Sequence, residues 1–298
     1  MYKLKNVNCG YSKSVRPVLE ISELDINVNE IVFFVGPSGV GKSTILETLG
    51  LMNNTVKTRF NKQSDFIFEL KINNLKLDMR DIWLEKESTL SQIRNDFFSF
   101  IFQENNLFQS LSGMQNAISS SLIQGTSSQL AFENANKVRE DILSDINLDN
   151  SSNDFDINSI SGGQRQRLSF IRAVITNYNI LFADEPTGNL DWLNAEILMD
   201  FLVKRMQKNR EEMQKDSLAI IVSHDIDLAL MFADKIVYIE KKSEIIQDKK
   251  YYYGKIDNST IFYNTDKENK DWKNGDSKFS REQLKNLIKE RFRIAQDM

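Results

Sequence analysis

Three short strings hold most of the residues in this chain that could do chemistry on a phosphate. GPSGVGKS, Gly36 to Ser43, matches G-x-x-x-x-G-K-[ST] and lies between a buried apolar run and a helix-period segment. Its glycines let backbone N–H groups turn inward around an anion, and the start of the following helix adds its positive end. Lys42 can then reach the β- and γ-phosphates of a nucleotide while the Ser43 hydroxyl binds Mg²⁺. The candidate contacts are Gly36, Pro37, Ser38, Gly39, Val40, Gly41, Lys42, Ser43 and Thr44. ILFADE, Ile180 to Glu185, is an apolar strand ending in two carboxylates, so Asp184 can orient the metal and Glu185 can face an attacking water. ISGGQRQR, Ile160 to Arg167, is a glycine pair opening a helix, which makes Ser161, Gly162, Gly163 and Gln164 a second anion-binding helix N-terminus. The rare residues concentrate here: six of 12 glycines and two of 3 prolines lie in or beside these strings, and the sole histidine is His224.

Two phosphate grips with one nucleotide loop is a specific count. ISGGQRQR resembles the signature motif of ATP-binding cassette ATPases, with Ile160 where leucine is usual. In that family the signature of one subunit closes on the γ-phosphate held by the phosphate loop of the other, so the resemblance implies two chains sandwiching two ATP. Four more positions follow from it. Gln103, after SFIF, resembles the glutamine that senses Mg²⁺ and water and relays to the membrane partner. Asp191 in GNLD resembles the residue at the dimer contact, His224 in IIVSHD the switch histidine on the γ-phosphate, and Tyr11 the aromatic that stacks on adenine. For Tyr11 an ordinary surface tyrosine in a β-hairpin is the alternative. ADEPTGNLD, with GPSG in the loop, is similar to the lipoprotein-releasing, macrolide-efflux and cell-division group. Those ATPases pair with a membrane protein bearing a large extracytoplasmic domain and drive mechanical motion.

The elements that must position these residues are legible as periodicities. Tyr2 to Val7 and Val18 to Ile26 alternate and predict antiparallel strands, and Ile31 to Val35 predicts a buried one. Lys42 to Leu51 has helical spacing, Phe66 to Ile72 alternates, and Phe98 to Phe102 predicts another strand. Ala131, Ala135, Val138, Ile142 and Ile146 recur every three or four residues. From Gln164, helix and strand patterns alternate: a helix to Val174, strand Ile180 to Ala183, a helix around Ile197 to Met206, strand Leu218 to Val222, a short helix near Leu228 and strand Ile236 to Ile239. The expected fold is therefore α/β, a P-loop NTPase of the cassette type. Residues 1–104 and 157–240 form a mostly parallel sheet with helices on both faces and an antiparallel β subdomain. Residues 105–156 form an inserted helical subdomain, and 241–298 a tail ending in an amphipathic helix opened by Ser280-x-x-Gln283. That helix has two readings: packing on its own domain, or docking to a partner or an anionic membrane surface. The polar stretch Asn53 to Asp65 looks inserted.

Composition removes other classes. With 38 basic and 42 acidic residues the net charge is −4, so the general pull on nucleic-acid phosphates is missing. No apolar run approaches the roughly 20 residues that cross a bilayer. The start, MYKLKNVNCG, has no secretory or transit pattern, and Cys9 is the only cysteine, which fits a reducing cytoplasm. The expected partners are a second ATPase chain and an integral membrane permease, with no nucleic acid, and the expected location is the inner face of the cell membrane. A soluble cassette ATPase acting on DNA or ribosomes is the competing reading. It fits poorly, because the interval from Lys42 to Ser161 is too short for coiled-coil arms and the chain has one cassette. A non-hydrolysing module is disfavoured by the intact Lys42, Asp184, Glu185 and His224.

Overall fold

The computed structural model describes residues 1–73, 75–142, 160–212, 215–269 and 271–298. In chain order the strands are β1 (Tyr2–Cys9), β2 (Leu19–Ile26), β3 (Ile31–Val35), β4 (Ile67–Ile72), β5 (Leu75–Asp78), β6 (Phe98–Ile101), β7 (Ile180–Asp184), β8 (Leu218–Val222), β9 (Lys235–Tyr238), β10 (Glu240–Ile246), β11 (Lys249–Ile256), β12 (Ile261–Asp266), β13 (Asp271–Asn274) and β14 (Ser277–Phe279). The helices are α1 (Lys42–Leu49), α2 (Glu87–Phe97), α3 (Gly113–Ile123), α4 (Ser128–Ile142), α5 (Gly162–Val174), α6 (Trp192–Glu212), α7 (Ile226–Phe232) and α8 (Arg281–Gln296). They group into two compact units, residues 1–91 with 218–298, and residues 92–217.

The first unit contains two layers of strands. One sheet runs β10-β11-β2-β1-β4-β5. Its β1 pairs antiparallel with β2 from Tyr2↔Ile26 to Cys9↔Leu19, and the alternation read from these segments is the alternation of buried and half-buried side chains. In the other, β3 lies between β8 and β9, parallel to both. A strand flanked this way is covered on both faces, which is why IVFFV is apolar throughout and fully buried.

The tail is more ordered than its composition predicts. β10 and β11 form a hairpin whose second strand pairs parallel with β2, while β12 pairs antiparallel with β9 and continues through β13 and β14. The parallel strands are the expected ones; these antiparallel strands are an edge that was not. Few residues carry its burial, and they are aromatic or isolated: Ile256, Ile261, Phe262 and Trp272 are each at most 2% exposed. β10 has no aromatic residue, β11 has three tyrosines and β12 to β14 have one or two each, so the buried residues are too scattered among polar neighbours to register as an aliphatic run. The capping box opens α8 as predicted, Ser280 Oγ accepting from Gln283 N–H. Leu284 and Ile288 of α8 are fully buried, Phe292 meets Tyr238 edge to face at 5.8 Å, and Lys285 pairs with Asp227 of α7 at 2.6 Å. α8 thus packs on α7, β13 and β14 of its own unit. The polar stretch after α1 is anchored as well: Thr55 and Asn61 are buried, and Asn61 exchanges hydrogen bonds with the Asn8 backbone at 2.8 Å.

In the second unit β6 and β7 pair parallel, and Phe98, Phe100 and Phe182 pack across them at 5.2 to 5.3 Å. α3 packs against both α4 and α5. Predicted position Ile146 and the remainder of the helical segment to 156 lie outside the described residues. Among the described residues no helix is long and apolar enough to cross a membrane.

Candidate nucleotide site

The phosphate loop leaves β3 at Gly36 and enters α1 at Lys42. Gly39 and Gly41 have φ of 79° and 96°, a backbone region that side chains with a Cβ rarely adopt and that curls successive N–H groups to one side. Lys42 is 8% exposed, and its Nζ donates to the carbonyls of Gly36 and Pro37 at 2.8 and 2.9 Å. The ammonium is thus held over the loop that a phosphate would occupy. Ser38, Gly39 and Ser43 are exposed, and Val40 and Thr44 are buried beneath them. Tyr11 lies in the loop between β1 and β2 and reaches α1: its hydroxyl shares a hydrogen bond with Thr44 Oγ1 at 3.1 Å and donates to Glu47 at 3.3 Å. Burial, reinforced by Glu47, raises its pKa. His224 is exposed just after β8. The next residue, Asp225, caps α7 through Leu228 N–H at 2.9 Å, so the histidine stands at a fixed strand-to-helix corner.

Unit two holds the other predicted residues. Asp184 ends β7, and Glu185 follows with φ 48°, a strained region for a glutamate. The strain is contained by two hydrogen bonds to the Glu185 carbonyl, from Gly188 N–H at 3.2 Å and from Gln166 Nε2 at 3.3 Å. Ser161 caps α5, its Oγ accepting from Gln164 N–H at 3.2 Å while Gln164 Oε1 accepts from Ser161 N–H at 2.8 Å. Gly162 and Gly163 form the first turn, leaving N–H groups for an anion. Asp191 caps α6, accepting from the N–H and side-chain amide of Asn194 at 2.9 and 2.8 Å. The Asn194 N–H is the main cause of its lowered pKa. Gln103 is exposed in the loop after β6.

With this geometry in hand, comparison with known proteins is specific. The ABC transporter family model matches residues 19–188. The chain belongs to the ABC transporter family. It is an ATP-binding cassette, and its reaction is ATP hydrolysis. An uncharacterized ABC transporter ATP-binding protein of Methanocaldococcus jannaschii, MJ0796, is 30% identical over 84% of this chain and 97% of its own. The lipoprotein-releasing system ATP-binding protein LolD of Rickettsia conorii is 29% identical over 76% of this chain and 89% of its own. The macrolide export ATP-binding/permease protein MacB of Campylobacter fetus is 33% identical, covering 83% of this chain and 34% of that longer one. A dimeric structure of the MJ0796 cassette in a post-hydrolysis state, bound to ADP and Pi, aligns with TM-score 0.63 at 30% identity over 80% of this chain and 94% of that one.

Other polar side chains, not singled out by the motifs, hydrogen-bond to the backbone around these positions. Gln166, Ser169 and Arg172 are buried polar side chains spaced by three along α5. Gln166 supports the Glu185 backbone, and Arg172 donates to the carbonyls of Asn106 and Asn105 at 2.7 and 2.6 Å, fixing the loop that starts at Gln103. Arg167 donates to Asn194 Oδ1 at 3.2 Å. A polar stripe on an otherwise apolar helix was the available signal. Such a stripe must find partners in the interior.

Proposed function

We propose that this cassette energises a membrane complex of the lipoprotein-releasing, macrolide-efflux or mechanotransmission kind, closing as a homodimer around two ATP. One observation carries the proposal: the chain has a single phosphate loop and a second, capped glycine-rich helix N-terminus at Ser161–Gln164. The relatives LolD and MacB support the membrane role, as does the dimeric form of MJ0796. The cassette would then work at the inner face of the cell membrane, docked on an integral permease subunit. Residues 105–156 serve as its helical subdomain and 241–298 as its tail.

The roles follow from chemistry at each position. The loop Gly36–Thr44 binds the phosphates, and Lys42 neutralises charge that grows on the γ-phosphate. Glu185 orients the attacking water and receives its proton, and its strained, exactingly held backbone is what a preorganised base requires. His224 contacts the γ-phosphate, Tyr11 stacks on adenine, and Gln103 links the water to the membrane partner. Ser161, Gly162, Gly163 and Gln164 grip the γ-phosphate bound by the other chain, with Asp191 at the contact. Ser43, Asp184 and Gln103 offer oxygen donors only, and among the described residues no cluster of three His, Cys, Asp or Glu forms a metal cage. That set, one carboxylate with two neutral oxygens, suits Mg²⁺, which is usually held by one or two carboxylates alongside substrate phosphates. When bound, the ion spreads the charge of the β- and γ-oxygens.

The test is Glu185→Gln. It is expected to bind ATP at parent affinity, to lose hydrolysis by roughly two to four orders of magnitude, and to accumulate an ATP-bound dimer on size exclusion. Hydrolysis at the parent rate would remove Glu185 from the base role. Recovery of the protein only with ribosomes or DNA would replace the membrane reading.

A further inference from the structure

The loop that carries Tyr11, residues 10–18, has no regular structure, yet it is tied down along its length. Gly10 N–H donates to Thr55 O at 2.8 Å, and Arg59 donates to the carbonyls of Tyr11 and Ser14 at 2.8 and 2.6 Å. The last tie is Arg16, a cation only 9% exposed. Its Nη2 donates to Glu20 of β2 at 2.7 Å and its Nη1 to Glu244 of β10 at 2.6 Å. The face of its guanidinium lies 3.3 Å from the centre of the Tyr253 ring of β11. Two of the three groups that hold Arg16 therefore come from the tail hairpin. A guanidinium bonded at both ends and stacked on an aromatic face is fixed in position and in plane, a constraint that lysine or a single ion pair does not reproduce.

The same hairpin is registered against the nucleotide loop. Gly254 N–H donates to Val18 O at 2.8 Å, and a Cβ built on Gly254 would fall 2.0 Å from the carbonyl oxygen of Val40. Only glycine allows this approach. Tyr253 is its neighbour, so the residue that stacks Arg16 and the residue that abuts the phosphate loop are adjacent on one rigid strand.

We propose that Arg16 is a positioning residue for the base side of the nucleotide site, and that the tail hairpin, through Tyr253 and Glu244, sets the affinity of the cassette for ATP. This rests on the reading of Tyr11 as the adenine contact and of Gly36–Thr44 as the phosphate grip. A loop already ordered does not have to be ordered on binding. Releasing Arg16 transfers that cost to the binding step and leaves the chemistry at the γ-phosphate untouched.

The experiment uses the full chain, with ATP and inorganic tripolyphosphate as separate ligands in calorimetry and with steady-state ATPase kinetics. Tyr253→Leu is expected to raise KM and Kd for ATP about tenfold, the equivalent of immobilising one or two side chains. Its kcat should stay within about twofold and its affinity for tripolyphosphate should be unchanged. Tyr253→Phe keeps the ring face and should restore parent values. Glu244→Gln, at a half-exposed site that tolerates change, should weaken ATP a few-fold in the same selective way. Equal loss for ATP and tripolyphosphate, failure of phenylalanine to rescue, or an unchanged KM in both variants overturns the proposal. A parent that binds neither ligand overturns the phosphate-grip reading and the proposal together. Tyr11→Ala tests the remaining reading by itself: weakened ATP affinity is expected, and an intact affinity would mean that Tyr11 is not the adenine contact, so that the base-side role of Arg16 falls with it.

Discussion

At the scale of single residues, the site depends on groups held where they are costly. Glu185 occupies a left-handed backbone conformation, and a buried glutamine from the signature helix shares in holding it there, so the candidate base and the candidate anion grip are mechanically linked. Cys9, at the end of β1 next to the Tyr11 loop, shows the opposite economy. Burial pushes its thiol up to about 11, against weaker lowering by Thr55 and Thr48. Because the fold favours the neutral thiol, the stability it contributes is complete below the unfolded-state value of about 8.5 and is lost as pH rises from there through about 11. Urea titrations at pH 7.5 and 10 should therefore show a loss of stability that is smaller in Cys9→Ala. Equal losses would mean that another group sets the alkaline limit. Maleimide should label Cys9 only on unfolding.

Among the elements, the tail helix α8 is held by its buried face. Ile288 is fully buried, so Ile288→Ala removes packed methylenes and leaves a cavity, with an expected loss of about 2–5 kcal/mol in denaturant unfolding. Deleting Phe279–Met298 removes α8 together with the Phe279 partner of Trp272 and should lower Tm markedly. An unchanged Tm with lost binding to a membrane partner would restore the docking reading. The periodicities that predicted β1 to β3, α1, α5, β7 and β8 were readable because each places several apolar residues at regular spacing. The loop between β3 and α1 and the start of α5 were readable because they need glycines, which are rare in this chain, and the pair Asp184 and Glu185 because two carboxylates end an otherwise apolar run. β10 to β14 were not. Their order comes from backbone pairing to β2 and β9, from a few scattered buried side chains such as Ile256, Phe262 and Trp272, and from a glycine whose meaning appears only against Val40. Arg16 was invisible for a related reason: a buried arginine looks like a surface one until its partners, far away in sequence, are known, whereas Gln166 and Arg172 left only the spacing of a polar stripe on α5.

For the molecule as a whole, the decisive question is whether an ATP pocket is complete within one chain. If Ser161–Gln164 serves the other chain's nucleotide, a variant defective in the loop and a variant defective in the signature should complement each other. Lys42→Ala keeps an intact signature but loses its grip on phosphate. Ser161→Arg keeps an intact loop, yet its bulk blocks the helix N-terminus and its cap is lost at a cost of about 1 kcal/mol. Ser161→Ala isolates that second effect. Each defective variant alone should be nearly inactive. An equimolar mixture pairs at random into about one half heterodimers with one sound pocket of two, so it should recover about a quarter of the parent rate per chain. Activity in the mixture that only equals the mean of its parts would contradict shared pockets. In the parent, the same geometry requires the rate per chain to rise with enzyme concentration until the dimer saturates. A rate independent of concentration, from a protein that remains monomeric with ATP, would assign both grips to a single chain.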